Sequence, residues 1–360
     1  MATVSITSNE GITSVRVAQT TKGGLMRKLF IPVVGSLLLV ACGDSKDMTP
    51  ETAKADLTCP SGTTLEGLVR CIRDKMPKRE SNGYVAPTFA QRADWRIVVN
   101  QMLQGSCDFA VPVSLNGIVQ VKTFTDTGNG RDYCLLMEVR DQNGDGRVDN
   151  GFGTFIVYNK ATRQLSHQAV HPIADSDTDT QAVTVFKATD SRSFLMAGAH
   201  RDANAAPSAC LPDRLESDAS HNANTMVQAT NEELLAYYGA ASWFAIQWHG
   251  MADETCQGTD VYPSHGLDVK PAPTDKIMVL RDKLLLHQPT STWRVNLPGS
   301  ESCDQTATEN IQGRLLNGVA AERVCCTAAS SYTQKFIHIE QHKDFRKPSD
   351  WIAPITDTFP

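Results

Sequence analysis

Histidine is missing from the first 166 residues of this 360-residue chain, and all nine histidines lie between His167 and His342. The sequence also lacks the G-x-S-x-G motif of many serine hydrolases, the H-E-x-x-H motif of many metalloproteases and any C-x-x-C pair. These absences argue against a nucleophile elbow, a helical zinc motif and a cysteine zinc cluster. Because imidazole serves both metal ligation and proton transfer near neutral pH, the histidines place the predicted chemistry in the second half of the chain.

Neither a long basic run nor an internal repeat occurs in the sequence. The 40 acidic residues outnumber the 34 basic ones, which gives a net charge of −6. Because binding to a phosphate backbone requires clustered Lys and Arg, this balance argues against nucleic acid as a partner. The 41% hydrophobic content is enough for one large domain or two moderate ones. We expect a monomer that acts on a small-molecule or peptide-like substrate.

A basic tripeptide that begins at Met26 precedes an apolar run, Leu29 to Ala41, which ends directly before Cys42. The run is too short to span a bilayer stably, but its length suits a secretory signal, and its last residues resemble a bacterial lipoprotein cleavage site. We therefore expect a leader over 1–42 with a signal peptide at 26–41 and a translation start at Met26. Lipid on Cys42 would attach the protein to the bacterial cell envelope, on the periplasmic or extracellular side, by this anchor alone. The alternative interpretation is a buried hydrophobic helix.

Nine cysteines remain beyond Cys42. In an exported protein such cysteines are most simply disulfides, with one left over here. Local spacing predicts four pairs: Cys59 with Cys71, Cys107 with Cys134, Cys210 with Cys256, and Cys303 with Cys325 or its neighbour Cys326.

The predicted secondary-structure pattern of the chain changes at two points after the leader. Residues 43–83 are predicted to be a polar leash followed by a short disulfide-linked helical segment. Residues 84–160 predict a small β-rich unit, with strands at Trp95–Val99, Gly117–Lys122, Cys134–Val139 and Gly153–Tyr158. From 161 to 360 strands alternate with helices, which predicts an α/β catalytic domain. The expected fold class is therefore α/β, with a mixed central sheet flanked by helices and preceded by the β-rich unit.

An acidic, glycine-rich loop lies between two of the predicted strands. Its oxygen-bearing side chains occupy positions that match the start of an EF-hand calcium loop: Asp141, Asn143, Asp145 and Asp149. The match fails at the last ligand position, where Phe152 replaces a bidentate glutamate, and the flanks are strand-like. The sequence leaves two interpretations open, a structural calcium site and an acidic hairpin turn.

Three polar strings at strand ends hold the candidate chemical groups. His171 and Asp175 lie four residues apart after a β-like run, and His249 ends a strongly apolar strand beside a glycine that leaves room for metal or substrate. His338 and Glu340 have period-two spacing and therefore face the same side of a strand. Two histidines and one carboxylate with an open fourth position form the ligand set of hydrolytic zinc sites. We predict zinc ligation by His171, Asp175 and His249, with Glu340 as general base.

The order His-x-x-x-acid, then His-Gly at a later strand end, then a strand-borne Glu near the C-terminus resembles that of the zinc carboxypeptidase-like amidohydrolases, particularly poly-gamma-glutamate hydrolases and N-formylglutamate amidohydrolases. The resemblance covers residues 164–345 and implies a carboxypeptidase-like fold, a zinc ion and hydrolysis of amide bonds beside a substrate carboxylate. It also implies an arginine that binds that carboxylate or the developing oxyanion, and Arg201 is the best match. The first motif departs from the family, because Asp replaces Glu and Asp177 and Asp179 compete with Asp175.

Other polar residues near these strings are candidates for substrate binding together with Arg201: His200, Asn204, His221, Ser264, His265 and His338. An isolated histidine at a strand end also serves often as a simple hydrogen-bonding residue. The string around His221 favours a cap of the following helix, through Ser220, Asn222 or Asn224, over metal coordination, and it could still line the pocket. Two further functions stay open. One is a calcium-stabilised surface lipoprotein that binds glycans or protein partners without activity, and the other is a serine hydrolase without the standard elbow.

Overall fold

The computed structural model describes the backbone of residues 3–9 and 12–18, and residues 57–288, 293–299 and 303–360. Strands β1 (Thr3–Asn9) and β2 (Ile12–Ala18) form an antiparallel hairpin in a unit separate from Ala53–Pro360. The predicted signal peptide, Cys42 and the leash up to residue 56 lie outside the described residues. No helix in the described part of the chain is long and apolar enough to cross a membrane.

A single mixed sheet of eight strands forms the centre of the second unit, in the order β3-β4-β5-β7-β6-β8-β10-β9. Its strands are β3 (Val119–Thr125), β4 (Asp132–Glu138), β5 (Thr154–Val157), β6 (Arg163–Ala169), β7 (Ser191–Met196), β8 (Phe244–Trp248), β9 (Val261–Ser264) and β10 (Phe336–Gln341). Neighbours from β7 to β10 run parallel, whereas β3 to β5 and β9 pair antiparallel at the two sides. The expected α/β class with a mixed central sheet is therefore confirmed.

The helices of the second unit are α1 (Leu65–Asp74), α2 (Phe89–Leu103), α3 (Thr178–Ala188), α4 (Met226–Tyr238), α5 (Lys276–His287), α6 (Ile311–Leu316) and α7 (Ser349–Thr358). On one face of the sheet α3 packs against α1 and α7, and α5 packs against α7, whereas α4 contacts α2 and α6 on the other. Because both faces are covered, β6, β8 and β10 are buried almost throughout. The buried polar side chains on these strands bond to other buried groups, as Gln247 on β8 does with Gln168 on β6.

The 84–160 segment does not form a β-rich unit of its own. Strands β3 to β5 extend the same sheet, with β5 paired to β7. The predicted strand Trp95–Val99 is wrong, because this stretch lies inside α2. Thr88 and Gln91 form a capping box at the start of that helix, and its buried residues recur at helical spacing. Further along the chain, Val295 contributes one isolated bridge, to Val261 at the start of β9.

Four disulfides stabilise the fold, which is typical of a protein from an oxidising, extracytoplasmic compartment. Cys59 pairs with Cys71, and Cys107 pairs with Cys134, as local spacing predicts. The other two predicted pairs are wrong, since the structure joins Cys210 to Cys325 and Cys256 to Cys303. Tertiary packing explains the first of these, because Cys210 and Cys325 meet in a small apolar cluster beside α6, across 115 residues of sequence. Cys326 is left free and exposed.

Candidate metal centre

The parallel strands bring their carboxyl ends to one edge of the sheet. After β6 the chain crosses to β7 on one side of it, whereas β8 and β10 lie on the other side. The crevice between β6 and β8 is therefore the switch point of the strand order, where open α/β sheets bind their ligands. His171 follows β6 by two residues, and His249 follows β8 directly.

Three side chains converge in this crevice. His171 Nδ1 lies 3.3 Å and His249 Nδ1 lies 3.5 Å from the same carboxylate oxygen, Oδ2 of Asp175. All three residues are buried, and one ligand atom from each lies within 4.8 Å of the others. A turn in which Asp175 N donates to His171 O, at 2.9 Å, places the carboxylate one helical turn after the histidine. The three predicted ligands are thus neighbours in the structure.

The competing acids of the first string face elsewhere. Asp179 forms an ion pair with Arg73 at 3.2 Å, and Asp177 is the N-cap residue of α3 with a φ of 68°. Of the three acids, Asp175 is the one that the structure places beside both histidines.

A second group at the same edge consists of His249, His338 and Glu340, whose ligand atoms also lie within 4.8 Å of one another. His338 Nε2 is 3.4 Å from Glu340 Oε1, so the two residues share a face of β10, as the spacing predicts. The rings of His249 and His338 have centroids 4.6 Å apart. Glu340 therefore lies at the margin of the His171–Asp175–His249 group.

Asp218 also belongs to the site, although the sequence pattern did not indicate a role for it there. Its Oδ1 lies 3.0 Å from His171 Nε2, and its Oδ2 lies 3.0 Å from His221 Nδ1. A carboxylate on the far nitrogen of a ligating histidine fixes the ring and its tautomer, and leaves the other nitrogen for a metal. The string around His221 was open to interpretation as a helix cap, but the cap of α4 is Thr225. His221 reaches the site through Asp218, and nothing in the sequence pattern indicated this contact.

Electrostatics within the pocket are compatible with a cation. Burial alone would lower the pKa of His171, but Asp218 and Asp175 outweigh it and raise that pKa to about 9. Burial disfavours ionisation of Asp175, but His171 and His249 overcome this and lower its pKa. Burial and His338 lower the pKa of His249 to about 4, which leaves it a neutral imidazole at pH 7. Two carboxylates thus stabilise one positive charge at His171, and a divalent cation on its Nδ1 side would lie beside one of them, Asp175.

Buried amide side chains hold the Nε2 side of the His249 ring. Its Nε2 lies 3.3 Å from Gln247 Oε1, which also accepts a hydrogen bond from Asn310 Nδ2 at 2.8 Å. The Gln247 amide nitrogen donates in turn to Gln168 and Gln312. Since an apolar strand rarely carries a buried glutamine without a partner, this chain of amides accounts for Gln247 and orients the Nδ1 atom of His249 toward Asp175.

Two of the predicted substrate-binding residues, Arg201 and Ser264, contact residues of the site. Arg201 lies at the site, with Nη1 3.8 Å from Asp175 Oδ1 and 44% of its side chain exposed. Ser264 pairs with His338 across β9 and β10, with its hydroxyl 3.4 Å from His338 Nδ1. His200 instead accepts from the backbone of Asp202 through Nδ1, at 2.9 Å.

Asn204 and His265 contact other parts of the protein, and their contact with substrate stays a prediction. The Asn204 amide binds the backbone of Tyr84 in both directions. His265 contacts the carbonyl of Phe336, at the start of β10, and stacks on Tyr332. The glycine beside His249 does not leave room for metal or substrate either. A Cβ atom on Gly250 would lie 2.2 Å from the guanidinium of Arg346, so the space belongs to that side chain.

The acidic loop over 141–149 is organised by its own backbone. Asp141 accepts hydrogen bonds from the amides of Gly144, Asp145 and Gly146, and Asp149 accepts one from Gln142. Within the described residues, its carboxylates do not form a group close enough to share a metal ion. This arrangement is that of a tight polar turn, and the calcium site stays a prediction.

No known protein family matches the chain, and no curated protein does. Among solved structures, the gene product Atu2144 from Agrobacterium tumefaciens aligns with a TM-score of 0.32 and 11% identity, over 56% of this chain and 89% of its own. The "Putative carboxypeptidase A" of Shewanella denitrificans OS-217 aligns with a TM-score of 0.29 and 10% identity, over 77% of this chain and 68% of its own. Similarity at this level is too distant to argue from, and the function has to be inferred from the site.

Proposed function

We propose that this protein is an extracytoplasmic, zinc-dependent hydrolase that cleaves amide bonds near a substrate carboxylate. The observation that carries the proposal is the convergence of His171, Asp175 and His249 at the switch point between β6 and β8. Catalytic zinc sites have three protein donors of these types and keep one position open. A zinc ion held there would lower the pKa of its bound water to about 7 and polarise the scissile carbonyl.

The neighbouring side chains take distinct parts in this proposal. Glu340 lies beside the ligand group, and we assign it the role of the general base that accepts a proton on its carboxylate. Arg201, half-exposed and next to Asp175, can bind a substrate carboxylate as a bidentate partner. Asp218 and Gln247 hold the far nitrogens of His171 and His249.

The four disulfides support an extracytoplasmic location, and we propose that lipid on Cys42 anchors the protein to the envelope.

The first test is metal content and its removal. The protein purified in zinc-containing buffer is expected to hold one equivalent of zinc, measured by inductively coupled plasma mass spectrometry. Dialysis against a chelator should remove the zinc together with hydrolysis of N-acylated amino acids and short glutamyl peptides, and zinc should restore both. Calcium alone in the protein, with no hydrolysis of this panel, would instead favour the calcium-stabilised binding protein.

A second candidate function has one specific observation in its favour. Ser220 Oγ lies 2.9 Å from His171 Nε2, and His171 Nδ1 lies 3.3 Å from Asp175, which is the contact order of a serine-hydrolase triad. Two facts weigh against it. Ser220 is only 1% exposed, and the Nε2 atom of His171 that would take its proton also contacts Asp218, 3.0 Å away.

Ser220→Ala separates the two candidates. A metal-dependent enzyme should keep its kcat within about tenfold, because the serine only contacts the far nitrogen of a ligand. A serine nucleophile, by contrast, would lose several orders of magnitude in kcat. Ser193→Ala is a suitable control, since Ser193 is equally buried and lies on β7, away from His171 and its contacts. Steady-state hydrolysis with the same amide panel is the measurement.

A further inference from the structure

Arg346 is a buried arginine without a directly bonded carboxylate. It follows the short turn after β10 and is only 7% exposed. A buried guanidinium is costly unless its charge and its donors are matched. The carboxylates that stabilise its charge from a distance include Asp175 and Glu340, which belong to the metal centre and its margin.

The guanidinium of Arg346 binds the loops after three different strands. After β6, Nη1 donates to the carbonyl and hydroxyl of Ser176 at 2.7 and 3.3 Å. After β8, Nη2 donates to the carbonyl of Met251 at 3.3 Å. At the end of β10, Nε and Nη2 donate to the carbonyl of Gln341 at 3.3 and 3.0 Å. These five bonds match the five N–H donors of an arginine, so none is left for a substrate.

Each of these carbonyls belongs to a residue next to a site residue or two positions away from it. Ser176 follows Asp175, Met251 is two residues after His249, and Gln341 follows Glu340. The guanidinium therefore connects the backbone segments that carry two of the ligands and the general base. A planar fork with fixed donor directions can do this, whereas a lysine ammonium has three donors and no such geometry.

Gly250 supplies the space for this connection. A Cβ at this position would lie 2.2 to 2.7 Å from three atoms of the Arg346 guanidinium. The φ of Gly250 is not in the left-handed region, so backbone conformation does not require glycine here. Close approach of the arginine does.

We propose that Arg346 is a positioning residue that holds the loops after β6, β8 and β10 in the geometry that the metal centre requires, and that Gly250 is needed to admit its guanidinium. This role rests on the proposed metal function, and it belongs to a residue that is not itself a metal ligand. It predicts that changes at Arg346 act on metal affinity although Arg346 does not touch the metal ligands' donor atoms.

The test measures zinc affinity of the full chain by competition with a chromophoric chelator. Arg346→Lys and Arg346→Ala are each expected to weaken zinc binding about 10- to 100-fold, the range for residues that orient ligands. Gly250→Ala should weaken it to a similar extent. The double variant Arg346→Ala/Gly250→Ala should be no weaker than either single variant, because both remove the same contact. Added guanidinium ion should partly restore binding in Arg346→Ala and not in Gly250→Ala.

Arg314→Lys is the matched control. Arg314 also donates to backbone carbonyls, those of Thr308 and Val324, but neither residue is next to a proposed metal ligand or Glu340. Its zinc affinity should stay within about twofold of the wild type. Equal losses in Arg314→Lys and Arg346→Lys, or unchanged affinity in all Arg346 variants, would overturn the positioning role. If the wild type itself binds no zinc, the proposed function fails and this inference with it. Circular dichroism identifies any variant that does not fold, and Arg346→Lys, which keeps the charge, then decides the outcome.

Discussion

Glu340→Gln is expected to keep zinc at the wild-type stoichiometry while lowering kcat by about 10²- to 10⁴-fold, the range that general acid–base groups contribute. The amide preserves the shape of the side chain and its contact with His338, 3.4 Å away, but it cannot accept a proton. Hydrolysis of the amide panel gives kcat, and mass spectrometry of the purified variant gives the zinc content.

The same substitution tests whether Glu340 is a base or a ligand. Because Glu340 also forms a group with His249 and His338, it could bind a cation directly. In that case Glu340→Gln would lower zinc affinity as well as turnover, which would remove the general-base assignment. Glu322→Gln is a matched control, since Glu322 is exposed in a turn and the same change there should leave both quantities unaltered. Full activity of Glu340→Gln would exclude the residue from the mechanism.

The ends of the parallel strands could be predicted from the sequence for a physical reason. The stretch Trp243–Trp248, which ends in β8, is apolar apart from Gln247, so the polar His249 directly after it stands out. His171 follows the more polar strand β6, and the period of two places His338 and Glu340 on one face of β10. The order of strands was not needed for this, because parallel strands all end at the same edge.

The supporting residues could not be predicted, since they reach the site through tertiary contacts. Asp218 comes from the loop before α4 and Arg346 from the turn after β10, and neither lies in a pattern with the histidine that it serves or the loops that it binds. The same limit applies to Cys210 and Cys325, which meet across 115 residues. Local spacing favours near partners and contains no information on which loops the sheet brings together.

The error at Trp95–Val99 has a different origin. The stretch is rich in β-branched and aromatic residues, which favour strands, but its buried positions continue into Met102 at helical spacing. The capping box at Thr88 and Gln91 was the local signal that indicated a helix start. Here the longer periodicity and the cap outweigh the propensity of a five-residue window.

His249→Ala is expected to abolish stoichiometric zinc binding and to lower kcat/KM by roughly 10³-fold or more. The neutral imidazole, with its pKa lowered to about 4, is the donor that needs no deprotonation at pH 7, and its loss leaves two protein donors. Electrostatic stabilisation by a catalytic metal amounts to several kcal/mol, and each 1.36 kcal/mol corresponds to about tenfold in rate. Zinc titration and hydrolysis of the amide panel measure the two effects.

His265→Ala distinguishes loss of a ligand from loss of packing. His265 is as buried as His249, at 2% against 4% exposure, and it also lies at the end of a strand, β9. Its contacts are Phe336 and Tyr332, away from the ligand group, so its removal creates a comparable cavity without removing a donor. We expect both variants to melt at a lower temperature than the wild type, but only His249→Ala to lose zinc. Of the two histidines, His249 contacts Asp175, whereas His265 contacts Phe336 and Tyr332. Equal zinc retention in the two variants would therefore mean that the crevice between β6 and β8 is not the metal site.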